Sequence, residues 1–207
     1  MATLDIQAFK GVRDLVISQM TVTEQDDGTV KEEYGDVQPL AGVQSISFDV
    51  NETSATHYFD NRGAIVIASE GDDSLTLTVS RTDLKTRAVI EGRTYDETKK
   101  VFIATTQDKP YFALGFKAKV TDGHEEYYWF YKGKFTAGSK EFTTEDDGTD
   151  INTMQYTFTA IYTGQAYNLG TTEAPDNKPV KYAIIDDTNA KASTFFSAVT
   201  TPDLLIA

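Results

Sequence analysis

Histidine is the side chain best suited to moving a proton near neutral pH, and this chain of 207 residues has two, His57 and His124. Asp60 lies close to His57 in sequence, but neither belongs to a recognisable nucleophile or zinc spacing. His124 adjoins an Asp-Gly turn signal and is expected at the surface. Acidic clusters around Asp26, Asp72 and Asp146 invite a calcium reading. None has the alternating ligands and terminal Glu of a helix-loop-helix calcium site, so they are read as acidic turns. Carboxylates are too plentiful for their abundance to argue a glycosidase pair, and no Gly-rich phosphate loop occurs. Cysteine is absent, which removes disulfides and thiolate metal ligands. The sequence therefore predicts no catalytic residue, no cofactor-binding residue and no metal site. Asn51-Glu52-Thr53 has the glycosylation spacing but, without a secretion signal, is read as a chance match.

The aromatic run Tyr127-Tyr128-Trp129-Phe130-Tyr131 could stack bases or sugars. Strand alternation sends its members to two faces, and Glu125 and Glu126 beside it oppose a nucleic-acid site. Packing accounts for it better. Residues 111–135, YFALGFKAKVTDGHEEYYWFYKGKF, place apolar-alternating runs on either side of Asp122-Gly123, a strong hairpin signal. With those two residues as the turn, Thr121 faces His124. Leu114, Phe116 and Ala118 then lie opposite Tyr131, Trp129 and Tyr127, all on one face. On the other face Lys119 meets Glu126 and Lys117 meets Tyr128. Leu114, Phe116, Asp122, Gly123, Tyr127, Trp129 and Tyr131 are thus the predicted fold-defining residues, in a hairpin central to the molecule.

The elements around this hairpin must be mostly strands. Hydrophobic residues make up 40% and aromatic residues 12% of the chain, with eleven Tyr and twelve Phe. No apolar run is long enough to cross a bilayer, and no basic-then-apolar leader pattern opens the chain. Nineteen basic against thirty-two acidic residues give a formal charge of -13. There is no basic stripe to grip phosphates. The acid excess serves solubility or forms a surface that lies beside nucleic acid without sticking to it.

In chain order, Gly11 is expected to bend the chain before a first strand in which Leu15 and Ile17 alternate with Val16, Ser18, Met20 and Val22. Both faces are apolar, so the strand is covered on each side or against another subunit. Residues 23–39 form a long polar connection with a turn signal at Asp27-Gly28, either a mobile loop or a projecting binding hairpin. Pro39 argues against a central strand there. Strands are expected near 43–50, with Ile46, Phe48 and Val50 on one face, and near 63–69. Residues 74–80 alternate as a half-buried strand. Ser80 is the expected N-cap of a short helix, with Asp83 completing a capping box. Leu84, Ala88 and Glu91 share one side of that helix and Gly92 ends it. Strands follow at 101–105 and 154–162, the latter with Met154, Tyr156, Phe158, Ala160 and Tyr162 on one face. Residues 171–179 read as a linker. The apolar patches after it form a last strand and tail packed on the body, or an arm packed on a neighbour.

This order is distinctive: a long early loop, Tyr58-Phe59-Asp60-Asn61, LTLTV, a helix opening RTDL, VFIATTQ, the central hairpin ending YKGKF, and FTTEDDGTDINTMQYTFTAIYTG. It resembles the major tail proteins of long-tailed bacteriophages with non-contractile tails, especially those of Gram-positive hosts. The resemblance spans roughly Leu4 to Gly164 and is looser over 171–207. It implies a mainly β fold, a tail-tube-like β-sandwich or incomplete barrel with one short flanking α-helix. It implies an N-terminal arm over 1–13, a tube domain over 14–164 and a linker with a C-terminal arm or extension over 165–207. Asp60 and Asn61 match the family's acidic-polar turn, and Leu84 and Ala88 would seat the helix. Residues 24–38 would project to the adjacent ring, making Glu24, Asp27, Gly28, Glu32, Tyr34 and Gln38 the contact candidates. The implied function is structural and non-enzymatic: homohexameric rings stacked into the tail tube, the conduit for genome ejection. Implied partners are the tape-measure protein, tail assembly chaperone, tail terminator and distal tail proteins. Genomic DNA would pass without specific binding and no membrane insertion would occur. The expected location is the phage tail of the virion, and the host cytoplasm during assembly. The alternative reading is a non-catalytic cell-surface or carbohydrate-binding β-sandwich module; a tail-associated hydrolase stands third.

Overall fold

The computed structural model describes residues 7–26, 28–59, 62–106, 108–140, 142, 144, 152–171 and 174–206, with 58, 59 and 62–64 described by backbone alone. Asp27, Asp60, Asn61 and the acidic turn at Asp146 lie outside the described residues. The early strands are β1 (Phe9–Glu24), β2 (Val30–Tyr34), β3 (Gln38–Pro39), β4 (Val43–Asp49), β5 (Glu52–Phe59), β6 (Arg62–Glu70) and β7 (Asp73–Val79). Helix α1 (Leu84–Glu91) follows, then β8 (Thr94–Asp96), β9 (Val101–Ile103), β10 (Tyr111–Val120), β11 (Glu125–Lys140) and β12 (Met154–Ala160). The chain continues through β13 (Ala166–Asn168), β14 (Asn177–Pro179), β15 (Tyr182–Asp186), a 3-10 turn (Ala192–Thr194) and helix α2 (Pro202–Ile206).

Nine strands join in one antiparallel sheet of order β2-β1-β10-β11-β12-β7-β4, with β3 also on β1 and β15 also on β11. The mainly β, sandwich-like architecture with a short flanking helix is the one expected. β10 and β11 are its centre, joined at Asp122-Gly123, but the register differs from the expected one. The loop has three residues rather than two. Val120 N donates to His124 O at 2.9 Å, Gly123 N donates to Val120 O at 3.2 Å, and Gly123 has φ 101°. A turn closed by a glycine at positive φ is the usual three-residue hairpin loop.

The extra loop residue pairs Leu114 with Phe130, Phe116 with Tyr128, Lys117 with Tyr127, Ala118 with Glu126 and Lys119 with Glu125. A slip of one residue sends every side chain of a strand to the other face. Leu114, Phe116 and Ala118 therefore share a core with Tyr128 and Phe130, while Tyr127, Trp129 and Tyr131 lie on the opposite side. The expected single face of six residues is split between two layers, and Lys119 faces Glu125 instead of Glu126. Apolar groups on both faces of β11 made the alternation compatible with either register.

The first core, under Phe116 and Phe130, is completed by Leu15, Ile17, Leu75, Leu77, Tyr156 and Phe158. In its middle, around Leu15–Ile17, β1 is covered on both faces, since Val16 packs in the second layer. Gly11 does not precede the strand; it lies inside β1 at a register shift. Of the expected face of β4, Ile46 and Phe48 pack on the core but Val50 lies beyond the strand and is exposed. Likewise Tyr162 falls outside β12 and is exposed, while Tyr156, Phe158 and Ala160 are buried. At Gly133 the outer neighbour of β11 changes from β15 to β12. A Cβ there would stand 2.4 Å from Thr159 O and from the Phe158 ring, so only glycine permits the switch.

Helix α1 is capped by Asp83, which accepts from Thr86 N at 3.1 Å, not by Ser80. Ser80 instead accepts from Gly42 N at 3.0 Å. Gly92 ends the helix at φ 62°, as expected. Ala88 is buried against the sheet, but its apolar companion is Ile90; Leu84 is only half-buried.

The second core is closed by the C-terminal region. β15 pairs with Glu126–Phe130, and Ile185, Phe195 and Val199 cover Trp129 and Tyr131. Trp129 Nε1 donates to Phe195 O and Tyr131 OH donates to Thr200 O, each at 2.9 Å. The expected linker is in part a small hairpin, β13 with β14. Of the two expectations for the tail, packing on its own body is the one observed.

Trp129 is fully buried, so Trp129→Ala should cost about 3–5 kcal/mol in denaturant unfolding. Removing residues 187–207 should shift the emission of this single tryptophan to the red, because its cover is Phe195 and Val199. Blue emission after truncation would contradict the assignment of the lid.

Candidate assembly surface

A long strand pair with every described side chain exposed is one that the sequence pattern only half disclosed. β4 pairs with β7 as far as Asp49 and Ser74, and β5 pairs with β6 from Glu52 and Glu70 outward. The four strands form one two-stranded ribbon, hinged at Asn51 and Gly71, where Gly71 N donates to Asn51 O at 2.7 Å. Its inner half belongs to the large sheet; its outer half leaves it. At about 3.3 Å per residue, the eight residues of β5 extend about 26 Å.

Every described side chain of this outer half is exposed, including Ile65 (50%), Val66 (68%) and Ile67 (54%). Pairing sets Ala55 opposite Ile67 and His57 opposite Ile65, so these four share one face. Val66 and Ala68 lie on the other, opposite Thr56 and Ser54. β5 was not expected. Its residues ETSATHYF carry Thr and aromatic strand formers but no apolar face. The signal that could have found it is that composition beside the Asp60-Asn61 pair in the sequence.

Residues 24–38, expected to project, are mostly held by their own chain. The outer half of β1 pairs with β2, and the connection closes with Gln25 N donating to Thr29 O at 2.8 Å. Glu24 and Gly28 are exposed at this tip, and Gln38 is exposed in β3. Glu32 is buried: its Oε1 accepts from Lys132 Nζ at 2.6 Å and from Gly164 N at 2.8 Å. The half-buried Tyr34 places its hydroxyl 3.4 Å from that of Tyr167, and burial is the main reason its phenol is pushed well above the usual range. Glu32 and Tyr34 thus face the C-terminal part of the same chain, which corrects their expected outward placement.

A second buried ion pair fixes the root of the long ribbon. Lys181 Nζ lies 3.1 Å from Asp73 Oδ1 and donates to Gly71 O at 2.9 Å. Asp73–Lys181 clamps the base of the ribbon to the body, and Glu32–Lys132 ties β2 to β11. Removing one partner strands a buried charge. Lys181→Met should therefore cost about 3–5 kcal/mol, most of it recovered in Asp73→Asn/Lys181→Met. Hydrogen exchange should also rise at Asn51 and Gly71. An unchanged unfolding midpoint and unchanged exchange would refute the clamp.

The histidines are far apart in role and position. His57 is exposed on the ribbon. His124 Nδ1 lies 2.9 Å from Asp187 Oδ1, joining the central turn to the end of β15. That hydrogen bond, then the Asp187 charge and that of Asp122, raise the imidazole above its ordinary 6.5. A raised folded value means that the contribution is fully present below pH 6.5 and is lost as pH climbs through the folded value. The His124 ring should titrate above 6.5 by NMR, and Asp187→Asn should bring that midpoint down. No change on substitution would show the contact to be absent in solution.

Among the described residues no group of three or more His, Cys, Asp or Glu is arranged to hold a metal ion. The surface offers projecting strands with free edges and apolar faces, which can pair with or pack on another chain. Comparison with models of known protein families and with curated proteins finds no match.

Proposed function

We propose that this chain is a structural protein of a phage virion, polymerising as stacked hexameric rings into the tube of a long non-contractile tail. The observation that carries this reading is the β5–β6 ribbon, ordered as a strand pair yet exposed on both faces at every described side chain. A two-stranded hairpin is marginal alone in water. Such an element gains its stability from a neighbouring molecule, and the simplest neighbour is another copy. A contact between different surfaces of identical chains closes into a ring or continues as a filament. The exposed β1–β2 tip, with Glu24 and Gly28, supplies a second protrusion for contacts between rings.

The remaining parts of the reading follow from the tube. The net charge of -13 suits a wall along which phosphates slide without ion pairing. The resemblance adds tape-measure, chaperone, terminator and distal tail proteins as its partners. The protein acts in the phage tail and assembles in the host cytoplasm.

Electron microscopy of the purified protein over a range of concentration and salt tests this directly. Rings or tubes of uniform bore are expected. Deleting residues 54–68 should leave a folded monomer, since the cores contain none of them, and should abolish assembly. A full-length chain that remains monomeric under all conditions would overturn the proposal.

A further inference from the structure

The large sheet curls but does not close. β4 is bonded to β7 along one edge, and its other edge faces β1 without a strand ladder. On that side of β1, β2 and β3 take Val16, Ile17 and Met20–Glu24, leaving Phe9–Asp14 without a strand. Just before β4, Leu40 N donates to Leu15 O at 3.0 Å. Along the gap runs a trough of two adjoining cavities, about 480 and 620 Å³, that share Val12. The first is lined by Phe9, Val12, Ile46, Phe48, Phe116 and Tyr128, an opening onto the main core. Phe9 is 64% exposed at its rim.

We infer that this trough receives the β5–β6 ribbon of a second copy of the chain, with the Ala55/Ile65/Ile67 face laid over it. The inference rests on the self-assembly reading above and adds which surface meets which. The ribbon cannot satisfy its own trough: it continues the β4–β7 pair out of the sheet, and its described side chains are exposed. Among the described residues the ribbon is therefore an uncovered apolar projection and the trough an uncovered apolar groove.

Charge selects the same pairing. The root of the ribbon carries Asp49, Glu52, Glu70 and Asp72, and Glu52 sits directly opposite Glu70 in the ladder. Like charges placed opposite each other destabilise a strand pair, so this root favours a basic neighbour. The strands walling the groove supply one. Of the charged residues lining the trough, Arg13 and Lys117 are basic and Asp14 is acidic, all in the larger cavity. Arg13 and Lys117 also hold Glu125 and Asp14. A second copy thus brings an acidic, apolar arm to an apolar groove whose larger cavity carries Arg13 and Lys117. Because arm and groove are different surfaces, each chain gives one and receives one, the head-to-tail arrangement of a ring.

The absence of cysteine allows a clean test. Ile67→Cys and Phe9→Cys are made separately, each carrying one thiol, then mixed and mildly oxidised. The expected product is the mixed disulfide, about tenfold or more in excess of either symmetric one, because docking raises the effective concentration of the unlike thiols. Ile65→Lys in the Ile67→Cys chain should remove that excess while leaving the unfolding midpoint unchanged, since the site is exposed. Equal yields of all three disulfides, or none, would overturn the contact. Phe9→Cys joining only to itself would make the groove a two-fold interface and overturn it too. Mixed disulfide without tubes would keep this contact and reject the tail tube; tubes without it would do the reverse.

Discussion

From Tyr128 to Gly133 strand β11 is buried on both faces, with neighbours along both edges, and the rest of the molecule is arranged to make that possible. Its sixteen residues pair with β10 on one side and successively with β15 and β12 on the other. One face of its first half packs Tyr128 and Phe130 into the main core; the other packs Trp129 and Tyr131 under the C-terminal region. A strand with aromatic groups on both sides needs a layer over each. The curled sheet provides one. The segment after Gly164 provides the other, which is why a chain end rich in turns and polar residues is nonetheless structural.

The second constraint is electrostatic. Two lysines, Lys132 and Lys181, are nearly buried, and each is matched to a buried carboxylate, Glu32 or Asp73. Desolvating such groups is costly, and a buried pair is weak evidence of net stability. What these pairs specify is position. Asp73–Lys181 sits at the base of the ribbon that leaves the sheet, where Lys181 also bonds the hinge carbonyl of Gly71, and Glu32–Lys132 ties β2 to β11. A protruding ribbon has little packing of its own to fix its angle. A charged clamp at its root fixes where it departs from the body, which is what an element meeting another molecule requires.

These features bear on function by division of labour. The interior is densely aromatic and committed to one architecture, while the ribbon and the gap between β1 and β4 leave apolar side chains uncovered. Among the described residues the titratable groups with strong partners serve packing, capping or clamping: Asp83 at α1, Glu125 on Arg13, His124 on Asp187. A molecule so organised has its resources in surfaces, and the proposed role as a repeating unit of a tube is a role for surfaces.

The sequence by itself determined the β class, the turn at Asp122-Gly123, the clean one-sided strands β7 and β12, and the end of α1 at Gly92. Each is a local statement: strict alternation with one apolar face admits one orientation, and a glycine at positive φ marks its own position. Where both faces are apolar, alternation carries no sign, so only the packed structure decided that Trp129 and Phe116 lie in different layers. The same limit hid β5, whose faces are both weakly polar, and the inward aim of Glu32, whose partner Lys132 lies a hundred positions away. Ion pairs across such separations leave no local periodicity. They are chosen when the chain is folded and a buried charge must find the one opposite charge within reach.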